Sequence, residues 1–281
     1  MTQTYVADNR SAFDAMAADY DVREADNPVM QLMRKRSLTI LDKTFPRGAR
    51  LLDVGCGTGT EAIWLTQRGR TILGVDPSPQ MLEVFSARAT ATQLQIPTRL
   101  LGAGDLMRLV DEYGSASFDG AYSSFGPLNA EHSLDPPLAA LSRLVRPGGW
   151  IVLSVMNRWC VAEMASMVAG GRANQAFRRA RSSVPVTVGA SSTDVRYPSW
   201  RQMRSAIRPG FRIVSVQALP LLLLPYAWPA LAPHPRLFNA LRRLDGILAP
   251  RRPFAWLGDH LLVVAERLDG AARRAVTLDG R

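Results

Sequence analysis

The sequence predicts an α/β fold built on a largely parallel sheet. Three observations predict it: a glycine-rich turn between an apolar run and a helical stretch, regular alternation of short apolar runs with helical stretches from Arg50 onward, and a length of 281 residues, which fits one domain with insertions better than two full domains. In chain order, Asn27-Pro28 has the form of an N-cap and first helical residue, opening a helix to about Asp42. Strand one is read at 51–54, followed by glycines at every second position, Gly55, Gly57 and Gly59. From Glu61 a helix is expected with Ile63 and Trp64 on its buried side. Strands two to five are read at 72–75, 99–101, 118–122 and 150–155, with helices at 80–89 and 138–144 between them. Two more apolar runs, starting at Phe211 and His260, close the sheet.

The glycine turn carries most of the chemistry. Glycine lets the backbone approach a ligand closely, and strand, turn and helix together make a nucleotide cradle. The spacing is GxGxG followed by Thr60, so the third position of the dinucleotide fingerprint GxGxxG is absent. Asp53 before the turn and Glu61 after it disfavour a pyrophosphate. They suit a ligand bearing an ammonium and a sulfonium, which points to S-adenosylmethionine.

This stretch resembles motif I of the class I S-adenosylmethionine-dependent methyltransferases, and four more landmarks follow in order over roughly residues 45–155. They are Thr71-Ile-Leu-Gly-Val-Asp76-Pro77, Thr98-Arg-Leu-Leu-Gly-Ala-Gly-Asp105-Leu106, Ser117-Phe-Asp-Gly-Ala-Tyr-Ser123 and Leu144-Val-Arg-Pro147-Gly148-Gly149. The opening Ala12-Phe-Asp-Ala-Met-Ala-Ala-Asp-Tyr20-Asp is similar to the leader of the ubiquinone/menaquinone-methylase-like branch. The resemblance implies a Rossmann-like sheet of seven strands with the last antiparallel. It implies that Asp76 binds the ribose, Asp105 the adenine amino group, and that Tyr20 lies over the cofactor. It adds Asp53, Gly55, Gly57, Gly59, Pro77, Met81, Leu106 and Ser123 to the expected cofactor site. Residues 1–45 become helices covering the cofactor and 46–155 the binding core. Residues 156–198 become a lid, 199–268 the rest of the core with a second lid segment, and 269–281 a flexible tail.

The first lid is expected to hold a helix from Val161, a basic helical stretch ending at Arg181, and a hairpin turning at 189–192. The second, Pro-, Leu- and Trp-rich, holds a helix at about 236–248. Apolar residues at 221–224 with Tyr226, Trp228, Met164 and Met167 suit an apolar pocket facing the ligand edge. The formal charge is +10, with arginines in dispersed clusters that lack the aromatic interleaving of a base-stacking surface. Solvated arginine-rich faces account for such a charge without any partner; among partners, an apolar or anionic-apolar small molecule, or contact with an anionic membrane surface, is favoured over nucleic acid. RNA methylation and cofactor binding without catalysis are the alternatives. Cys56 and Cys160 have no metal-ligand spacing, so no metal is expected. The longest apolar run falls short of a membrane span and no signal-peptide pattern opens the chain, which predicts a cytoplasmic protein.

A sulfonium methyl is already activated, so a base is needed only where the acceptor must lose a proton. His132, after strand four, is the candidate base. Glu131 and Asn129 are candidates to orient an acceptor, His234 lies where it can reach one, and His260 reads as structural. The stretch Tyr122-Ser-Ser-Phe-Gly-Pro-Leu-Asn129 lacks the Asp/Asn-Pro-Pro-Tyr/Phe motif of amino-directed methyltransferases, which favours an oxygen, carbon or aliphatic nitrogen acceptor.

Overall fold

The computed structural model describes residues 13–181, 183–188 and 191–269, so the tail from 270 and the first twelve residues lie outside the described residues. The chain enters through helices α1 (Tyr20–Ala25) and α2 (Pro28–Thr44). Asn27 starts α2 as expected: its side-chain oxygen accepts from the Val29 and Met30 N–H groups at 3.0 and 3.3 Å, and Pro28 fills a position with no N–H to satisfy. Then β1 (Arg50–Val54), α3 (Thr60–Thr66), β2 (Thr71–Asp76), α4 (Pro79–Ala91), β3 (Thr98–Leu100), α5 (Met107–Tyr113), β4 (Phe118–Ser123), α6 (Asp135–Leu144) and β5 (Val145–Met156) alternate without exception. Beyond β5 come α7 (Val161–Ala169), the hairpin β6 (Val184–Val188) and β7 (Ser191–Val195), α8 (Trp200–Ile207) and β8 (Phe211–Ala218). A second insertion holds α9 (Trp228–Leu231) and α10 (Pro235–Leu248) before β9 (His260–Arg267).

Seven strands form one sheet in the order β3-β2-β1-β4-β5-β9-β8. β9 runs antiparallel to both neighbours, pairing Val263 with Leu153 and Val216, and the other pairings are parallel. This is the Rossmann-like arrangement the resemblance implied. The central strands are buried on both faces, which is why they read as unbroken apolar runs. One core holds Leu52, Leu106, Leu141 and Ile207, and the other holds Met33, Leu41, Phe45 and Phe85. Strand order reverses between β1 and β4, and a crevice at such a switch point is where open α/β sheets bind ligands.

Several local expectations differ from the structure. Val145 already pairs with Phe118, so β5 starts ahead of the expected position 150 and Pro147-Gly148-Gly149 forms an irregularity inside it, with Gly148 at φ +72°. Ile63 is buried as expected, but Trp64 is half-buried, its indole covered by the Arg68 guanidinium at 3.6 Å, and Glu61, Ala62 and Leu65 face inward beside Ile63. The basic stretch before Arg181 makes only short 3-10 turns, one at Arg178–Ala180. Arg179 is drawn inward there to Glu163 and Asp259, at 2.5 and 2.6 Å. Ser191 and Ser192 already belong to β7, while positions 189 and 190 of the expected turn lie outside the described residues. No described helix is long and apolar enough to cross a membrane.

Candidate active site

The chain leaves β1 through three left-handed glycines, each needed for a different reason. A Cβ on Gly55 (φ +73°) would lie 2.2 Å from the Pro127 side chain, and one on Gly59 (φ +81°) 2.2 Å from the Phe85 ring. Gly57 (φ +50°) faces open space, with only the Met81 sulfur at 4.0 Å. The turn is fastened to β2 by the N–H groups of Gly55 and Cys56, which donate to the Val75 carbonyl at 2.8 and 3.0 Å. Asp76 then receives the Gly57 N–H on one carboxylate oxygen and the Ser78 N–H on the other, both at 2.9 Å. Burial pushes the Asp76 carboxyl up to about 6, against the stabilising pull of those two donors. Asp53, also buried, is held well above the ordinary carboxylate range by burial first and by the Glu61 charge second.

Segment 13–25 covers this turn through polar contacts. Asp21 accepts from the hydroxyls of Thr58 and Thr60 at 2.9 and 3.2 Å and pairs with Arg88 at 2.7 Å. Arg88 also donates to the Thr58 carbonyl at 2.9 Å, and Asp14 accepts from the Ser78 hydroxyl at 2.5 Å. From α2, Arg34 reaches Glu61 at 2.7 Å and lies 5.1 Å over the Phe125 ring. Phe125 itself sits at φ +60°, a strained conformation for an aromatic residue, and is followed by left-handed Gly126.

Tyr20, Asp53, Gly55, Gly57, Asp76, Pro77 and Met81 are brought together around one cavity of about 160 Å³. Arg34, Phe125, Asn129, Glu131, Met156 and Val195 complete much of its wall. Gly59 stands behind the turn against Phe85, so it shapes the cradle without lining it. Asp105 is exposed at the end of a 3-10 turn, and Ala103 of that turn lines the cavity. Leu106 is fully buried in the core, since the turn directs this apolar side chain inward. Ser123 is buried as well, and Ser124 takes the lining position one residue beyond the strand.

His132 does not reach this cavity. It is exposed on a neighbouring one, with Nδ1 3.0 Å from Arg196 Nη2. His260 is buried at the start of β9 with Nδ1 2.9 Å from Asp259, and His234 precedes α10 outside the cavity. Asn129 is engaged in structure: its side-chain NH2 donates to the Met156 and Arg196 carbonyls at 2.9 and 2.6 Å, and its oxygen accepts the Met156 N–H at 2.8 Å. Glu131 accepts the Gly104 N–H at 3.1 Å, and burial raises its carboxyl above the ordinary value. No group of three His, Cys, Asp or Glu suited to a metal occurs among the described residues.

Residues 221–224, Tyr226, Trp228, Met164 and Met167 are all absent from the cavity wall. Asp245 in α10 accepts the N–H groups of Leu221 and Leu222, both at 2.7 Å, which fastens that run beneath α10. Leu223 joins the core face made by Met33 and Leu41 of α2. Arg34, Asp21 and Phe125 had not been singled out in the sequence. Arg34 lies in a basic run that looks like a solvated face, and the one local signal for Phe125 is the glycine that follows it.

Residues 51–149 match the family model described as a methyltransferase domain. A demethylmenaquinone methyltransferase of Thermobifida fusca is 30% identical over 167 residues, 58% of this chain and 67% of that protein. A ubiquinone biosynthesis O-methyltransferase of Chromobacterium violaceum is 32% identical over 124 residues, 43% of this chain and 50% of that protein. The chain thus spans about half the length of this ubiquinone-type relative. Among solved structures, the 1,6-didemethyltoxoflavin-N1-methyltransferase of Burkholderia thailandensis, bound to 1,6-didemethyltoxoflavin and S-adenosylhomocysteine, has a TM-score of 0.59 at 20% identity, covering 96% of this chain and 91% of that one. Likeness at that identity speaks to the fold alone. The sheet, the glycine turn and the sequence match define a class I S-adenosylmethionine-dependent methyltransferase. Within that class the chain belongs to the ubiquinone/menaquinone-methylase-like branch.

Proposed function

We propose that the chain moves a methyl group from S-adenosylmethionine to a small, largely apolar acceptor. The observation that carries this reading is the cradle of Gly57 and Asp76, where an open backbone turn adjoins a carboxylate whose two oxygens are already aimed by N–H donors. Ionised Asp76 then accepts the ribose hydroxyls. Tyr20 closes the site from above. The methionine end of the cofactor is zwitterionic: Asp53 and Glu61 suit its ammonium, and Arg34 its carboxylate. When bound, the cofactor supplies the activated methyl group. The protein contributes alignment, holding the acceptor in line behind the methyl carbon.

The acceptor side of the cavity is formed by Phe125, Asn129, Glu131, Met156 and Val195, which is apolar apart from one amide and one carboxyl. Glu131, rather than His132, is the titratable group at that wall. Where the acceptor must lose a proton, Glu131 is the group placed to orient or take it. The same reading places the enzyme in the cytoplasm, with contact to an anionic membrane surface through α10. That helix exposes Leu237, Leu244 and Ile247 along one side, with Arg243 one turn before Ile247.

Calorimetric titration with S-adenosylhomocysteine, followed by incubation of the protein with methyl-labelled cofactor and cell extract, tests the reading. Binding together with label in the organic phase is expected. Absence of cofactor binding overturns it, and label confined to an RNA fraction overturns the choice of acceptor.

A further inference from the structure

A second cavity, of about 450 Å³, adjoins the first and shares Glu131 with it. The two are divided by segments that contribute to both sides. Met156 and Val195 line the cofactor cavity, while Arg158 and Arg196, two and one residues further on, line the second; Asn129 and His132 divide in the same way. The partition is rigid. Asn129 donates to the carbonyls of Met156 and Arg196, and its own carbonyl accepts the Arg196 N–H at 2.9 Å.

The wall of the second cavity carries two guanidinium groups, those of Arg158 and Arg196. Arg158 donates through Nε to the Tyr197 carbonyl at 3.1 Å, and Arg196 through Nη2 to His132 Nδ1 at 3.0 Å. Neither guanidinium pairs with a carboxylate among the described residues, and Arg196 Nε is a buried donor with no acceptor. Buried donors are rarely left in that state. Arg179, by contrast, is answered by both Glu163 and Asp259. Two carboxyl groups do lie in the wall. Asp135 accepts the Ser133 hydroxyl at 3.2 Å at the start of α6, and Glu131 accepts the Gly104 N–H. Burial raises the Glu131 carboxyl above its ordinary value.

The geometry points to an oxyanion subsite in the second cavity, where Arg158 and Arg196 hold a carboxylate or phosphate group of the methyl acceptor while its reacting end passes Glu131 into the cofactor cavity. The inference rests on the methyltransferase reading above and narrows its acceptor to an apolar molecule carrying an anionic group. A guanidinium fork matches either oxyanion through two parallel N–H donors. His132 acts here as a positioning residue, since its Nδ1 accepts from Arg196 and fixes the direction of that fork.

The test uses inorganic phosphate and benzoate as probes, titrated calorimetrically into the protein saturated with S-adenosylhomocysteine. At least one probe is expected to bind the wild type and to bind the double variant R158Q/R196Q at least tenfold more weakly. Cofactor affinity is expected to stay within twofold, which also reports that the variant folds. Preference for phosphate over benzoate, or the reverse, identifies the group. A second measurement needs no variant: phosphate should slow phenylglyoxal modification of Arg158 and Arg196 in the wild type, but not that of the exposed Arg47. Equal probe affinity in both proteins, or no binding together with no protection, overturns the subsite. Loss of S-adenosylhomocysteine binding by the wild type would instead defeat the methyltransferase reading, and the same titrations on the ligand-free protein would still decide the subsite.

Discussion

Asp76 concentrates the chemistry of the site in one titratable group. Its carboxyl is pushed up to about 6, so between about pH 4 and 6 the ligand-free protein holds a proton there that the unfolded chain has released. Its contribution to stability is therefore present below about pH 4 and is lost as pH rises toward 6. Cofactor binding runs the other way. On the proposed assignment the ribose hydroxyls donate to the ionised carboxylate, so affinity should rise with pH and level off above 6. Below that it should fall by up to about tenfold per pH unit. Titrating S-adenosylhomocysteine from pH 5 to 8 into the wild type and Asp76→Asn isolates this group, because the slope due to Asp76 disappears in the variant while any from Asp53 remains. Identical slopes would remove Asp76 from the ribose assignment. Asp76→Ala at pH 8 should weaken binding by about 1–3 kcal/mol, the cost of leaving the hydroxyls unpaired.

At the scale of elements, the glycine turn separates fold from binding. Ala at position 59 meets Phe85 under α4 and must also adopt a left-handed backbone, so Gly59→Ala should destabilise the protein by about 1–3 kcal/mol. Ala at position 57 shares the backbone strain but projects into open space, so Gly57→Ala should cost less stability and proportionately more cofactor affinity. Denaturant melts alongside cofactor titrations read the contrast, and equal stability losses would refute it. Such local devices were legible in the sequence: the GxGxG turn, the Asn27-Pro28 cap, and strands that read as apolar runs because both sheet faces are covered. Contacts between distant parts of the chain were not. Arg34 meets Glu61 across 27 positions and Asn129 meets Arg196 across 67, and neither pairing leaves a periodic trace. The leucines at 221–224 read correctly as apolar, but apolar character alone does not tell a cavity wall from a core, and Asp245 decides the matter from 23 and 24 residues away. The exposed side of α10 makes its own prediction. Leu244→Asp with Ile247→Asp should reduce cosedimentation with vesicles containing anionic lipid, and wild-type protein that stays in the supernatant would rule out the membrane contact.

Across the whole molecule, one buried charge network fastens the first insertion to the far half of the sheet. Arg179 pairs with Glu163 of α7 and with Asp259 at the start of β9, and it donates to the carbonyls of Asn157 and Asp259 at 3.1 and 3.2 Å. Burial alone would raise the Asp259 carboxyl, yet the Arg179 and His260 charges hold it well below the usual carboxylate range, and Arg178 and Arg179 lower Glu163 likewise. Depressed carboxyls contribute stability that is present above about pH 4 and is lost as pH falls toward their folded values, so acid should loosen this region. Arg179→Ala leaves buried Asp259 with His260 alone opposite it and Glu163 with Arg178 alone, a loss of about 3–5 kcal/mol, or a fall in Tm of roughly 6–20 °C for a chain of this size. The segment it holds ends in Val195 and Arg196, which wall the acceptor side, whereas the cofactor side is built from β1, β2 and α2. The variant should therefore melt early and become sensitive to proteolysis between α7 and β7, yet retain near-normal S-adenosylhomocysteine affinity at 10 °C. Arg179→Lys should recover only part of the loss, because one ammonium cannot reproduce the guanidinium's simultaneous bonds to two carboxylates and two carbonyls. An unchanged Tm in Arg179→Ala would mean that apolar packing, not this network, holds the acceptor wall in place.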